Sequence, residues 1–161
     1  MKSINDWLEE YGESHQNKTN KLIHWICVPL IFWSIIALLS FIPNDMLQFS
    51  NNEFISGLSH WGTILILTGL LFYLRLSFSI FLGMLFFSVG CLLDIYLGNK
   101  WLGSNFMLCS SGTIFIIAWA GQFIGHKIEG KKPSFFNDLQ FLLIGPAWLL
   151  SFIYKKLGIK Y

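Results

Sequence analysis

An all-α integral membrane protein is the fold class this chain predicts, and three observations carry the prediction. Hydrophobic residues make up 54% of the 161 positions and charged residues only 12%, a balance foreign to soluble domains. The apolar residues fall in long runs empty of charge, the pattern of helices that satisfy their own backbone within lipid. Lys and Arg gather on one side of the topology those runs imply. The expected architecture is a bundle of four transmembrane helices with an N-terminal amphipathic helix and a C-terminal kinked or re-entrant helical pair. All of it forms a single membrane-embedded domain over residues 1–161.

The amphipathic helix is read over Ser3–Glu13. Ile4, Trp7, Leu8 and Tyr11 recur at helical spacing, Asp6, Glu9, Glu10 and Glu13 take the wet face, and Ser3 with Asp6 forms a capping pair. This helix lies along the membrane surface or packs over the bundle. A polar tract, His15-Gln16-Asn17-Lys18-Thr19-Asn20, then interrupts the helix, and Thr19 or Asn20 is positioned to cap the first span at 21–41, which ends before Pro43. Residues 44–59 read as a polar connection. The second span is 61–74, short but extendable into its flanks, and Arg75 marks a tight hinge before the third at 78–97. Gly98–Asn105 reads as a loop, and the fourth span is 106–125. A last apolar stretch, 135–154, is interrupted by Gly145-Pro146, which predicts either a kinked fifth span or a re-entrant pair, with the re-entrant form favoured.

Four crossings return the chain to the side from which it started. The start of the first span and the end of the fourth therefore share one rim, with His15, His24, Gln122, His126 and Glu129. Lys2, Lys18, Lys21, Arg75, Lys127, Lys131 and Lys132 stand on that side and Lys100 on the other, so the histidine rim is expected to be cytoplasmic. His15 and His24, nine residues apart, would be rotated by about 900° on one continuous helix and face opposite ways. They converge only if the chain breaks between them, and the Asn/Thr tract supplies the break. Gln122, His126 and Glu129 follow at spacings of four and three on one helix face, with Trp119 one turn further in.

Polar groups in such a place are costly unless they meet protein, water or a metal. Imidazoles suit Fe, Zn, Cu or Ni, and Glu129 would either complete a histidine ligand set or orient one of its members. A haem between His24 and His126 is a further possibility from the residues alone. His60 falls on the opposite side beside Trp61, where anchoring at the interface explains it, and Asp94 reads as a paired or snorkelling acid. Cys27, Cys91 and Cys109 include no CxxC pair and read as small buried hydrophobes. A net charge of +2 gives no support to nucleic acid as a partner. No HExxH, GxSxG or phosphate-binding glycine loop is present, and four histidines fall short of the roughly eight of membrane di-iron desaturases.

Two motifs carry a resemblance. His15-Gln16-Asn17-Lys18-Thr19-Asn20-Lys21-Leu22-Ile23-His24, followed by Val28-Pro29, resembles the N-terminal signature of the Mpo1-like family. Trp119-Ala120-Gly121-Gln122-Phe123-Ile124-Gly125-His126-Lys127-Ile128-Glu129-Gly130-Lys131-Lys132-Pro133 resembles its second signature, with Ser134 where members often carry Ala. The resemblance implies an Fe(II)-dependent dioxygenase that uses O2 to shorten 2-hydroxy fatty acids by one carbon, in the endoplasmic reticulum membrane or a bacterial inner membrane. It implies His15, His24 and His126 as metal ligands, with Glu129 as a further catalytic residue or ligand. Asn20 and Gln122 fall at other motif positions, and Lys127, Lys131 and Lys132 are placed to steer the acid headgroup. Two alternatives are another metal-dependent lipid enzyme on the same scaffold and a non-catalytic protein that binds lipid.

Overall fold

The computed structural model describes residues 2–131 and 140–161, and among them the chain is entirely helical. Helix α1 (Ile4–Glu13) begins at the expected capping box, with Ser3 Oγ accepting from the Asp6 amide and the Asp6 carboxylate accepting from the Ser3 amide. Its apolar stripe of Ile4, Trp7, Leu8 and Tyr11 is buried. That stripe packs over α7 (Phe141–Leu157), with Trp7 edge-on to Phe141.

Helix α2 (Lys18–Leu39) starts three residues earlier than the hydropathy suggests. Asn17 is its cap, its side chain accepting from the Thr19 and Asn20 amides. Thr19 and Asn20 lie inside the first turn, and Asn20 is drawn into long-range bonds instead. The polar connection at 44–59 holds a single 3₁₀ turn (Asp45–Leu47) and the short helix α3 (Glu53–Leu58). Then come α4 (Trp61–Leu76), α5 (Phe78–Leu102) and α6 (Ser104–Glu129). Helices α2, α5 and α6 are each long and apolar enough to cross a membrane, whereas α4 is apolar but shorter. Leu67, Leu71, Phe86, Ile116 and Ile117 are turned outward, as side chains facing lipid would be.

The structure departs from two expected breaks. Gly98 does not open a loop, because α5 continues to Leu102 and reverses into α6 through Gly103 alone, at φ 87°, a conformation glycine adopts without penalty. Gly98 serves packing instead: a Cβ there would come within 2.5 Å of Met107 Sδ on α6. Gly145-Pro146 does not divide α7, which runs on from Phe141 to Leu157. Pro146 removes one helical hydrogen bond, and beside that gap the Tyr73 hydroxyl donates to the Leu143 carbonyl at 2.6 Å. The first part of the apolar stretch, residues 135–139, lies outside the described residues. Asp94 is paired as expected, its Oδ2 accepting from Trp33 Nε1 at 2.8 Å.

Helices α2 and α6 are antiparallel and pack along their length. The approach is close because α6 offers Gly121 and Gly125, spaced four apart, to α2. A Cβ at Gly121 would stand 2.7 Å from Cys27 Sγ, and one at Gly125 would collide with Asn20 Oδ1. Small residues at this spacing let membrane helices come together on backbone contact. The start of α2 and the end of α6 are thereby held side by side.

Candidate metal centre

His15, His24 and His126 meet at that junction. His15 stands in the four-residue break between α1 and α2, His24 lies in the second turn of α2, and His126 lies in the last turn of α6. Ring centroids are 4.3 Å apart for His15 and His24, and 4.9 Å for each of them with His126, all edge-on. One ring nitrogen from each residue lies within 4.8 Å of those of the other two. All are buried, His15 and His24 at 0% exposure and His126 at 4%.

The hydrogen bonds fix the chemistry of two rings. His15 Nδ1 lies 2.6 Å from the Tyr11 carbonyl and His24 Nδ1 lies 2.9 Å from the Asn20 carbonyl. A carbonyl only accepts, so each Nδ1 carries the hydrogen and each Nε2 is left with a free lone pair. Both Nε2 atoms, and Nδ1 of His126, are buried without a hydrogen-bond partner. Orphaned polar atoms of this kind are costly, and a metal held among the three imidazoles would give such nitrogens a partner. Burial pushes the His15 pKa down to about 3, with the neighbouring His24 reinforcing the shift and the bond to the Tyr11 carbonyl opposing it. His15 is therefore neutral, with its lone pair available, across the physiological range. The separation of 4.9 Å between His24 and His126, with rings at 88°, leaves no room for a macrocycle between them, so the haem arrangement does not fit.

Glu129 stands beside the trio and outside it. Its carboxylate accepts from the amides of Gln16 and Asn17 at 2.8 and 2.9 Å and from Asn20 Nδ2 at 3.0 Å. A carboxylate at the start of α2 also suits the helix dipole. Glu129 thus ties the segment carrying His15 to the end of α6, and the buried Asn20 extends the tie by donating to the Ser14 carbonyl. Lys131 Nζ donates to the Glu13 carbonyl at the end of α1 at 2.8 Å. Lys127 is exposed on the rim, and Lys132 lies outside the described residues. His60 is remote from the trio: it precedes α4, and the α4 start packs on Ile36 at the far end of α2. It is buried with both ring nitrogens unpartnered, more enclosed than an interfacial anchor would be.

A cavity of ≈370 Å³ runs from His126 into the bundle, within the range of small-molecule sites. Its walls are apolar side chains of α2, α4 and α7, and Trp119 of α6 joins them. His126, Gln122 and Tyr11 line the histidine end. Tyr11 is a residue the sequence reading assigned only to an apolar stripe. Its ring stacks on His15 at 4.2 Å and 12°, and its carbonyl accepts from His15 Nδ1. The signal was its position four residues before His15. The Gly121/Gly125 pair is equally visible in the sequence as G-x-x-x-G.

Fold and site together define a helical protein suited to a membrane, with a buried histidine cluster able to hold a metal ion beside an apolar cavity. The chain belongs to the Mpo1-like family, described as 2-hydroxy-palmitic acid dioxygenase Mpo1-like, which matches residues 1–157. That description points to a dioxygenase-like enzyme acting on a 2-hydroxy fatty acid. Searches among curated proteins and among solved structures gave no match.

Proposed function

We propose that this chain is an Fe(II)-dependent membrane dioxygenase that shortens 2-hydroxy fatty acids by one carbon with O2, and that His15, His24 and His126 hold the iron. The observation that carries the reading is the convergence of three buried histidines, one of which, His126, lines an apolar cavity. Imidazole ligands suit iron, and three of them leave room beside the ion for substrate. When bound, the iron supplies the redox chemistry that couples O2 to cleavage between C1 and C2.

The remaining work falls to the chain's own groups. The cavity seats the acyl tail, and burial of apolar surface holds it there. The Gln122 amide and the Tyr11 hydroxyl, both lining the histidine end, donate to the carboxylate and 2-hydroxyl oxygens. Burial keeps the Tyr11 phenol protonated far above neutral pH, so it remains a donor. The α1 and α7 helices exclude water from the trio. Glu129 and Asn20 act as positioning residues for His15, and Lys127 at the rim attracts the incoming acid. In this reading α2, α4, α5 and α6 cross the bilayer in one domain. The rim faces the cytoplasm, in a bacterial inner membrane or the endoplasmic reticulum.

The test is conversion by the full chain, purified in detergent, loaded anaerobically with Fe(II), then given O2 and 2-hydroxypalmitate. The reading expects the acid one carbon shorter by mass spectrometry, only with iron and not with His126→Ala. Iron retention without that product would overturn the assigned reaction in favour of another metal-dependent lipid enzyme. Neither iron nor product would favour a lipid-binding protein without catalysis.

A further inference from the structure

Resting on that reading, we propose that Gly69 of α4 sets the chain-length preference by leaving the middle of the cavity open. Gly69 is buried and lines the cavity, yet a Cβ built on it would meet only Leu143 Cδ2 at 3.5 Å, an ordinary contact. Other buried helix glycines behave differently. A Cβ at Gly62 would stand 2.6 Å from the Ile36 carbonyl, and one at Gly125 would collide with Asn20 Oδ1. Close helix packing accounts for those two and not for Gly69. A glycine inside a helix is unfavourable against alanine, and at Gly69 what it leaves is space along the acyl path.

Its height in the cavity follows from the helix register. Gly62 is level with Ile36, and α4 runs back from there toward the histidine end as α2 runs away from it. At 1.5 Å per residue, the Ile36 level is about 18 Å above His24, and Gly69 is about 10 Å down from Ile36. Gly69 therefore stands partway along the cavity, with Ile35 and Leu65 beyond it at the end away from the histidines. A long acyl tail with its headgroup at the histidines must pass Gly69 to reach them. A side chain grown there projects into the path and truncates it, while the histidines, on α2, α6 and the 14–17 segment, are untouched.

The experiment uses the full chain and its Gly69→Leu and Leu65→Ala variants, each loaded with Fe(II) and given an equimolar series of saturated 2-hydroxy acids from eight to eighteen carbons. Products are read by mass spectrometry and bound iron by elemental analysis. A parallel binding assay lets the same acids displace a fluorescent fatty acid. Gly69→Leu is expected to keep its iron and move the optimum, in conversion and in displacement, to shorter acids. The expected loss is about fourfold in relative preference for each methylene excluded. Leu65→Ala is expected to move the optimum the other way. An unchanged length profile in Gly69→Leu, or an equal loss at all lengths with iron retained, would overturn the proposal. If Gly69→Leu fails to fold, Gly69→Ala, which the 3.5 Å contact accommodates, must show the smaller shift in the same direction, and its absence overturns the proposal. A wild-type chain that converts none of the acids would overturn the assigned reaction, while the displacement series still decides on Gly69.

Discussion

At the scale of single residues, the distinction that matters is between groups that hold the site and groups that touch the substrate. Tyr11→Phe keeps the ring stacked on His15 and the carbonyl that accepts from it, and removes only the hydroxyl. Iron content should be unchanged while KM for the 2-hydroxy acid rises about tenfold, the worth of a hydrogen bond of ~1.4 kcal/mol. A fall in iron content would instead make the hydroxyl structural. Glu129→Ala leaves the Gln16 and Asn17 amides and Asn20 Nδ2 without their acceptor. It should lower stability by about 1–2 kcal/mol and weaken iron retention, with Glu129→Gln intermediate, as followed by thermal melting and elemental analysis. A first-hand ligand role for Glu129 would show as full iron loss with unchanged melting. The trio was legible in the sequence because the polar tract after His15 announces a chain break and the even number of crossings expected from hydropathy returns the chain to His126. Asn17 was missed as the cap because the tract offers several capping side chains. Only the Asn20 bond to Glu129, 109 residues away, removes Asn20 from the choice.

At the scale of the elements, the α2–α6 contact carries the geometry, since it sets the distance between His24 and His126. Gly125→Val forces a side chain against Asn20. Overpacking of this kind costs about 1–3 kcal/mol, and separating the helices should release iron even where the protein remains helical by circular dichroism. Retained iron in a folded Gly125→Val protein would mean that the trio does not depend on this approach. Hydropathy located α2, α4, α5 and α6 well because their apolar runs exceed anything a loop would carry. It misjudged their ends at Gly98 and the break at Gly145-Pro146 for one reason. Glycine and proline signal a turn when read locally, but Gly98 answers to Met107, and the helix around Pro146 is supported by Tyr73. Those partners are remote in sequence.

At the scale of the whole molecule, α1 and α7 close over the histidines while α2, α4 and α7 wall the cavity beside them. The cavity had no signature in the sequence beyond Trp119, because it arises between helices whose apolar faces look alike when taken singly. The proposed metal centre consists of these three histidines, without His60. Iron content per chain after anaerobic loading and desalting tests it most directly, in the wild type and in the His15→Ala, His24→Ala, His126→Ala and His60→Ala proteins. Iron is expected to stay bound in the wild type and His60→Ala proteins and to be lost in each of the other three. Iron kept in all three trio variants, or lost equally in His60→Ala, would contradict it.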